Sequence, residues 1–230
     1  MEIAGIIGGI APESTVDYYR SVVARYRERK ADGSYPPVII DSIDMTRMLK
    51  LAANDRGALT DYLAAEIERL ARAGATFAAL ASNTPHLVFD ELVPRSPIPL
   101  VSIVEATARA AKGQGLRRLG ILGTRFTMEG RFYPEVFSRA GLSAVPPPPE
   151  DLGAVHARYM DELVKGVFRP EVRAEIIGVV SRMRAREGVD AVVLAGTELP
   201  LLLRDAASPV PLLDTTQLHV SAIVDRLVGS

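Results

Sequence analysis

Ala78-Ala-Leu-Ala-Ser-Asn-Thr-Pro-His86 is an apolar run that stops abruptly on small polar side chains. A short apolar segment bounded this way reads as a buried strand. In α/β proteins ligands bind outside the carboxyl ends of strands, so Ser82, Asn83 and Thr84 are candidates for contact with a small anion. The same three residues could equally cap a helix that opens at Pro85. Near the other end of the chain, Ala191-Val-Val-Leu-Ala-Gly-Thr-Glu-Leu-Pro200 repeats the design: apolar strand, small residue, Thr, then Pro.

A second pair of segments shows the same echo. Ala4-Gly-Ile-Ile-Gly-Gly9 matches Arg118-Leu-Gly-Ile-Leu-Gly-Thr124. The offset is 115 residues between Gly5 and Gly120 and 114 between Ser82 and Gly196, which points to an internal duplication. The expected architecture is α/β: two similar doubly wound parallel-sheet domains related by a pseudo-two-fold axis, with a ligand cleft between them. Residues 1–100 with 214–230 would form the first domain and residues 101–213 the second.

Periodicity and turn signals place the elements. Strands are expected at 2–7, 38–43, 77–81, 97–101, 118–123, 142–145, 189–194 and 211–214. Helices are expected from the Gly8-Gly9 turn to about Arg29, then at 57–73, 103–111, 132–140, 151–164, 170–187 and 215–228. Asp44 to Arg47 reads as a loop, and Pro146 to Pro149 as a stiff extended connector. The Gly8-Gly9 turn before a helix offers backbone N–H groups, Gly9 among them, to a carboxylate or phosphate. It is neither the dinucleotide fingerprint nor a P-loop, because the later glycines and the lysine are missing. Arg47, placed at a strand end, suits bidentate carboxylate recognition, although a solvated Arg has the same spacing. Lys165 precedes Gly166 at a helix end, where it either complements the helix dipole or delivers an ammonium to a carboxylate.

Composition narrows the function. A chain of 230 residues with 48% hydrophobic and 24% charged residues is ordinary for a globular protein, and its net charge of −1 gives no reason to expect nucleic acid or an anionic membrane as partner. No apolar run reaches the length of a membrane span and no signal core follows the N-terminus, so a cytoplasmic protein is expected. The chain contains no cysteine, which removes disulfides, thiolate metal sites and thiol nucleophiles together. The three histidines, at 86, 156 and 219, lack the spacing of a zinc site.

Three segments, Gly5-Ile-Ile-Gly-Gly-Ile-Ala-Pro-Glu-Ser-Thr15, Ser82-Asn-Thr-Pro-His86 and Gly196-Thr-Glu-Leu-Pro-Leu-Leu202, resemble the signature segments of the cofactor-independent aspartate/glutamate racemases. The resemblance spans the whole chain. It implies paired α/β domains around a ligand cleft, a homodimer, a small amino-acid or dicarboxylate substrate, and no pyridoxal phosphate or metal. Racemases of this family carry a cysteine at the start of each Asn/Thr motif, and here those positions are Ser82 and Gly196. Racemisation removes the α-proton from one face and returns one to the other, so an acid and a base must flank the carbon. The two-thiol route is therefore closed to this sequence. By motif match, Asn83, Thr84 and Thr197 would hold the α-carboxylate or stabilise an enolate-like intermediate, and Arg47 and Lys165 would bind substrate carboxylates; under the pseudo-two-fold relation Thr124 would face the cleft. Glu198 would orient Thr197, carry protons itself, or cap the short helix before Pro200. Three readings follow: a racemase working through Ser82 with help from Glu198, Lys165 or water; a lyase, decarboxylase or hydrolase using Ser82; or a non-catalytic carboxylate binder.

Overall fold

The computed structural model describes residues 1–229, and its chain divides into two compact units, Met1–Ile103 with the chain from Thr216 onward, and Val104–Thr215. In the first unit β1 (Ala4–Gly8), α1 (Pro12–Arg29), β2 (Val38–Ser42), α2 (Met45–Asn54), α3 (Arg56–Arg72), β3 (Phe77–Leu80), a short α4 (Phe89–Leu92) and β4 (Leu100–Val101) follow in order. The second unit carries α5 (Ile103–Gly113), β5 (Arg118–Gly123), α6 (Arg125–Met128), α7 (Phe132–Arg139), β6 (Ser143–Val145), α8 (Pro149–Asp161), α9 (Pro170–Glu187), β7 (Ala191–Ala195), α10 (Leu199–Leu203) and β8 (Leu212–Asp214). The chain then returns to the first unit as α11 (Thr215–Val228).

Each unit has one four-stranded parallel sheet, ordered β2-β1-β3-β4 in the first and β6-β5-β7-β8 in the second. The repeat in the sequence thus appears as a repeat of topology. In the first sheet side chains alternate between two cores, as the period of a strand requires. Ala4, Ile6, Phe77, Ala79 and Ala81 point to the side packed by Tyr18 and Val22 of α1 and by Val220, Ile223 and Val224 of α11. Ile7, Ala78 and Leu80 point to the other side, where Met48 of α2 and Leu59, Leu63 and Ile67 of α3 close over them. Burial on both faces explains why these strands read as continuous apolar runs. In the second unit Leu122, Val192 and Leu194 pack under α8 and α9 through Val155, Tyr159, Ile176, Val180 and Met183.

Several boundaries differ from the sequence reading, each for a local reason. The fourth strand is only Leu100–Val101, because Pro97 and Pro99 have no N–H to give a ladder. Residues 44–47 are not a loop: the Asp44 side chain accepts from the Arg47 N–H at 3.1 Å and starts α2. Pro149 does not end a rigid connector but opens α8, where a missing N–H costs nothing. The helix expected over 151–164 stops at Asp161 and yields to a 3-10 turn, Leu163–Lys165, closed by Gly166 at φ 72°. No helix among the described residues is long and apolar enough to cross a membrane.

Candidate functional site

In the first unit, the carboxyl ends of β1 and β3 lie side by side, with Ile7 opposite Leu80 and the Ala81 N–H donating to Ile7 O at 2.9 Å. This brings the Gly8-Gly9 turn and Ser82-Asn83-Thr84 to one edge of one sheet. Gly9 sits at φ 81°, and a Cβ there would lie 2.6 Å from Ile43 O and 2.7 Å from Ser42 Oγ. Glycine is therefore required twice over, by conformation and by space. Its amide is used inside the turn, donating to Thr15 Oγ1 at 2.8 Å, so it does not point outward to an anion as the sequence suggested.

Ser82, Asn83 and Thr84 are all buried. A 3-10 turn, Thr84–Val88, follows them, and no side chain caps it. The Ser82 hydroxyl makes no hydrogen bond to the described residues, which distinguishes it from a capping group. His86 does not face along that turn but inward. Its Nε2 lies 3.2 Å from the Ile103 backbone N–H, which can only donate, so Nε2 is the unprotonated nitrogen and Nδ1–H donates to Ser82 O at 3.0 Å. Burial, with the nearby His219 imidazole adding to it, pushes the His86 pKa down to about 3. The His219 Nε2–H donates to Val101 O, and its Nδ1 is hydrogen-bonded with the Tyr18 hydroxyl, both at 2.9 Å. The neutral His86 imidazole braces the backbone of the Ser82 turn, and it has no nitrogen left for the Ser82 hydroxyl. Arg47 lies on α2, which packs against the Thr84–Val88 turn, with its guanidinium 4.3 Å over the Tyr62 ring.

In the second unit β5 and β7 play the same parts. Gly123 stands opposite Ala195, close enough that a Cβ would lie 2.9 Å from the Ala195 carbonyl carbon. Thr124 follows β5 and pairs with the Thr127 hydroxyl at 3.2 Å. Gly196, Thr197 and Glu198 follow β7 and are wholly enclosed; Glu198 and Thr197 are each 1% exposed. Glu198 does not cap α10 with its side chain. Its Oε2 instead accepts from the Thr197 hydroxyl at 3.2 Å and, more closely, from the Tyr159 hydroxyl. Lys165 lies apart from these groups in the sequence of elements, exposed in the 3-10 turn after α8.

Tyr159 is the residue that sequence reading missed. It sits on α8, 5% exposed, and its ring fills the space in front of Gly196: a Cβ on residue 196 would lie 2.7 Å from both Cζ and the phenol oxygen, and nearer still to Cε2. Burial, and then the negative charge of Glu198, raise the Tyr159 pKa well above that of a free phenol. The phenol therefore holds its proton and donates it to the carboxylate. No local motif marks such a residue, since only the packing of α8 on β7 brings it to Gly196. Among the described residues no group of three or more His, Asp or Glu side chains is placed to hold a metal ion.

The family model described as Asp/Glu/Hydantoin racemase matches residues 7–223. The chain belongs to the Asp/Glu/hydantoin racemase family. Among solved structures, the aspartate racemase homologue PH1733 from Pyrococcus horikoshii OT3 is 33% identical with a TM-score of 0.83, over 99% of both chains. The Picrophilus torridus aspartate racemase shares the fold, with a TM-score of 0.78 at 21% identity, over 99% of this chain and 94% of its own. The broad specificity amino-acid racemase RacX of Bacillus subtilis is 21% identical over 221 residues, 92% of each chain. The racemase fold is thus kept here in a member without a single cysteine.

Proposed function

We propose that the protein is a cofactor-independent isomerase that exchanges the α-proton of a small amino acid or dicarboxylate. The observation that carries this reading is the pairing of strand ends: Ser82-Asn83-Thr84 after β3 and Gly196-Thr197-Glu198 after β7 occupy the same place in two sheets of the same order. Proton chemistry at an α-carbon needs a protic group together with donors that stabilise the enolate-like charge. In the first unit Ser82 brings a hydroxyl without a partner among the described residues, and Asn83 and Thr84 bring donors for a carboxylate. In the second, Thr197 is the corresponding carboxylate contact, and Thr124 follows the neighbouring strand β5. Arg47 and Lys165 serve as contacts for a second carboxylate. A homodimer in the cytoplasm completes the reading; sedimentation tests the first part.

A hydrolase built on Ser82 is less well supported. Such a nucleophile needs a base within hydrogen-bond reach of its hydroxyl, and His86 uses Nδ1 on the Ser82 carbonyl and Nε2 on the Ile103 amide. The test is incubation in D2O with L- and D-aspartate, L- and D-glutamate and a wider amino-acid panel, the panel being chosen because RacX is named for broad specificity. Deuterium at Cα, seen by proton NMR and absent with heat-denatured protein, is the expected result. Amino acids that bind the protein yet keep every α-proton would overturn the reading.

A further inference from the structure

We infer that Tyr159, backed by Glu198, is the proton-transferring group of the second unit and stands in for a side chain at position 196. The inference rests on the isomerase reading above and adds a named group to it. Three observations lead there. Position 196 cannot carry a side chain while Tyr159 is present, because the phenol ring already occupies the direction a Cβ would take. The phenol oxygen, 2.7 Å from that Cβ position, is a protic group at the place where residue 196 would have presented one. Behind it, the Glu198 carboxylate accepts the phenol proton and is itself held by the Thr197 hydroxyl.

Enclosure makes this pair capable of more than filling space. A phenol alone is a weak base near neutral pH, since its free pKa is about 10. With a carboxylate directly behind it, a relay becomes available. The α-proton passes to the phenol oxygen while the phenol's own proton shifts onto Glu198; the substrate gains one negative charge as its carbanion, and the pair goes from −1 to neutral. The reverse transfer returns a proton to the carbanion and restores the phenol and the carboxylate. No oxidant, metal or cofactor enters this balance. Tyr159 is the catalytic residue in this scheme, and Glu198 is a positioning residue that acts through it. A purely structural Tyr159 would use its hydroxyl only to satisfy Glu198, so losing it would lower stability without selectively removing exchange from the folded protein, and that difference supplies the test.

Tyr159→Phe keeps the ring and removes the hydroxyl. Calorimetry measures amino-acid affinity, NMR measures α-proton exchange in D2O, and a melting curve verifies the fold. The expected result is exchange lowered about a hundredfold or more, within the range of general acid–base contributions, with affinity changed less than about threefold. Exchange that persists at the wild-type rate would overturn the assignment while leaving the isomerase reading intact. Wild-type protein that binds an amino acid but exchanges nothing would remove both, and it needs no variant to be seen. Should Tyr159→Phe fail to fold, Glu198→Gln serves instead: the relay requires the acid limb of the pH–rate profile to disappear along with most of the exchange, and an unchanged rate and profile would overturn it.

Discussion

Gly196→Ala is a change of one methyl group that the geometry turns into a severe one. The new Cβ would stand 2.7 Å from Tyr159 Cζ and from the phenol oxygen, about 1 Å inside the 3.5–4.0 Å at which carbon atoms normally rest. The ring is buried in the core that joins α8 to β7, so it has little room to move aside. Overpacking of a tight interior costs about 1–3 kcal/mol. Moving the ring also stretches the hydrogen bond to the Glu198 carboxylate, and bonds to charged groups are worth about 1.5–3 kcal/mol. Because the two losses overlap, about 3 kcal/mol is the expected destabilisation, read as a shift of the urea midpoint with unchanged slope. In a Tyr159→Ala background the same substitution meets no ring, and Gly→Ala alone is expected to be neutral or stabilising by a few tenths of a kcal/mol. The double-mutant cycle should therefore show a coupling of about 3 kcal/mol. Equal cost of Gly196→Ala in both backgrounds, or a cost below about 0.5 kcal/mol in the wild type, would refute the steric argument.

Other outcomes follow from single features. His86 has its pKa held at about 3 in the folded protein, against about 6.5 unfolded. The unfolded chain therefore binds more protons over that interval, and the stability this neutral imidazole confers is present above pH 6.5 and lost as pH falls towards 3. The slope from this one group is at most about 1.4 kcal/mol per pH unit, and the gap between wild type and His86→Gln should narrow by about 1.2 kcal/mol from pH 6 to pH 5 in urea titrations. Gly9→Ala must place a Cβ against Ile43 O at φ 81°, and a loss of about 2 kcal/mol, from overpacking and backbone strain together, is expected in the same assay. Arg182 grips Asp151 with two parallel bonds of 2.7 and 2.8 Å, tying α9 to the first turn of α8. The Arg is 40% exposed, so Arg182→Ala should cost only about 1 kcal/mol, with amino-acid affinity by calorimetry unchanged.

The parts of the fold legible in the sequence were those governed by local pattern. Strands such as Phe77–Leu80 and Ala191–Ala195 are buried on both faces, so they announce themselves as unbroken apolar runs. The boundaries that slipped were decided by single hydrogen bonds: the Asp44 cap turned residues 45–54 into a helix, and two prolines shortened β4. Ser82 was legible as a candidate at the polar end of an apolar run, and an offset of 114 residues paired it with Gly196. The Tyr159–Glu198 contact joins residues 39 apart on two elements, and nothing in the periodicity of α8 distinguishes a tyrosine that fills a glycine's space from one that simply packs. His86 likewise had a position in the sequence but no orientation until the Ile103 amide fixed its tautomer.

The return of the chain as α11 has a consequence for birth rather than for catalysis. Val220, Ile223 and Val224, all fully buried, close the core over Ala4, Ile6 and Phe77. On a ribosome these three partners emerge more than a hundred residues after the strands they cover. The residues of the second unit's core, 104–215, are all made while one face of the first unit's sheet still has only α1 across it. For that interval the nascent protein offers apolar β-strand surface to any chaperone within reach, and the fourteen residues of α11 act as the cover that ends the exposure.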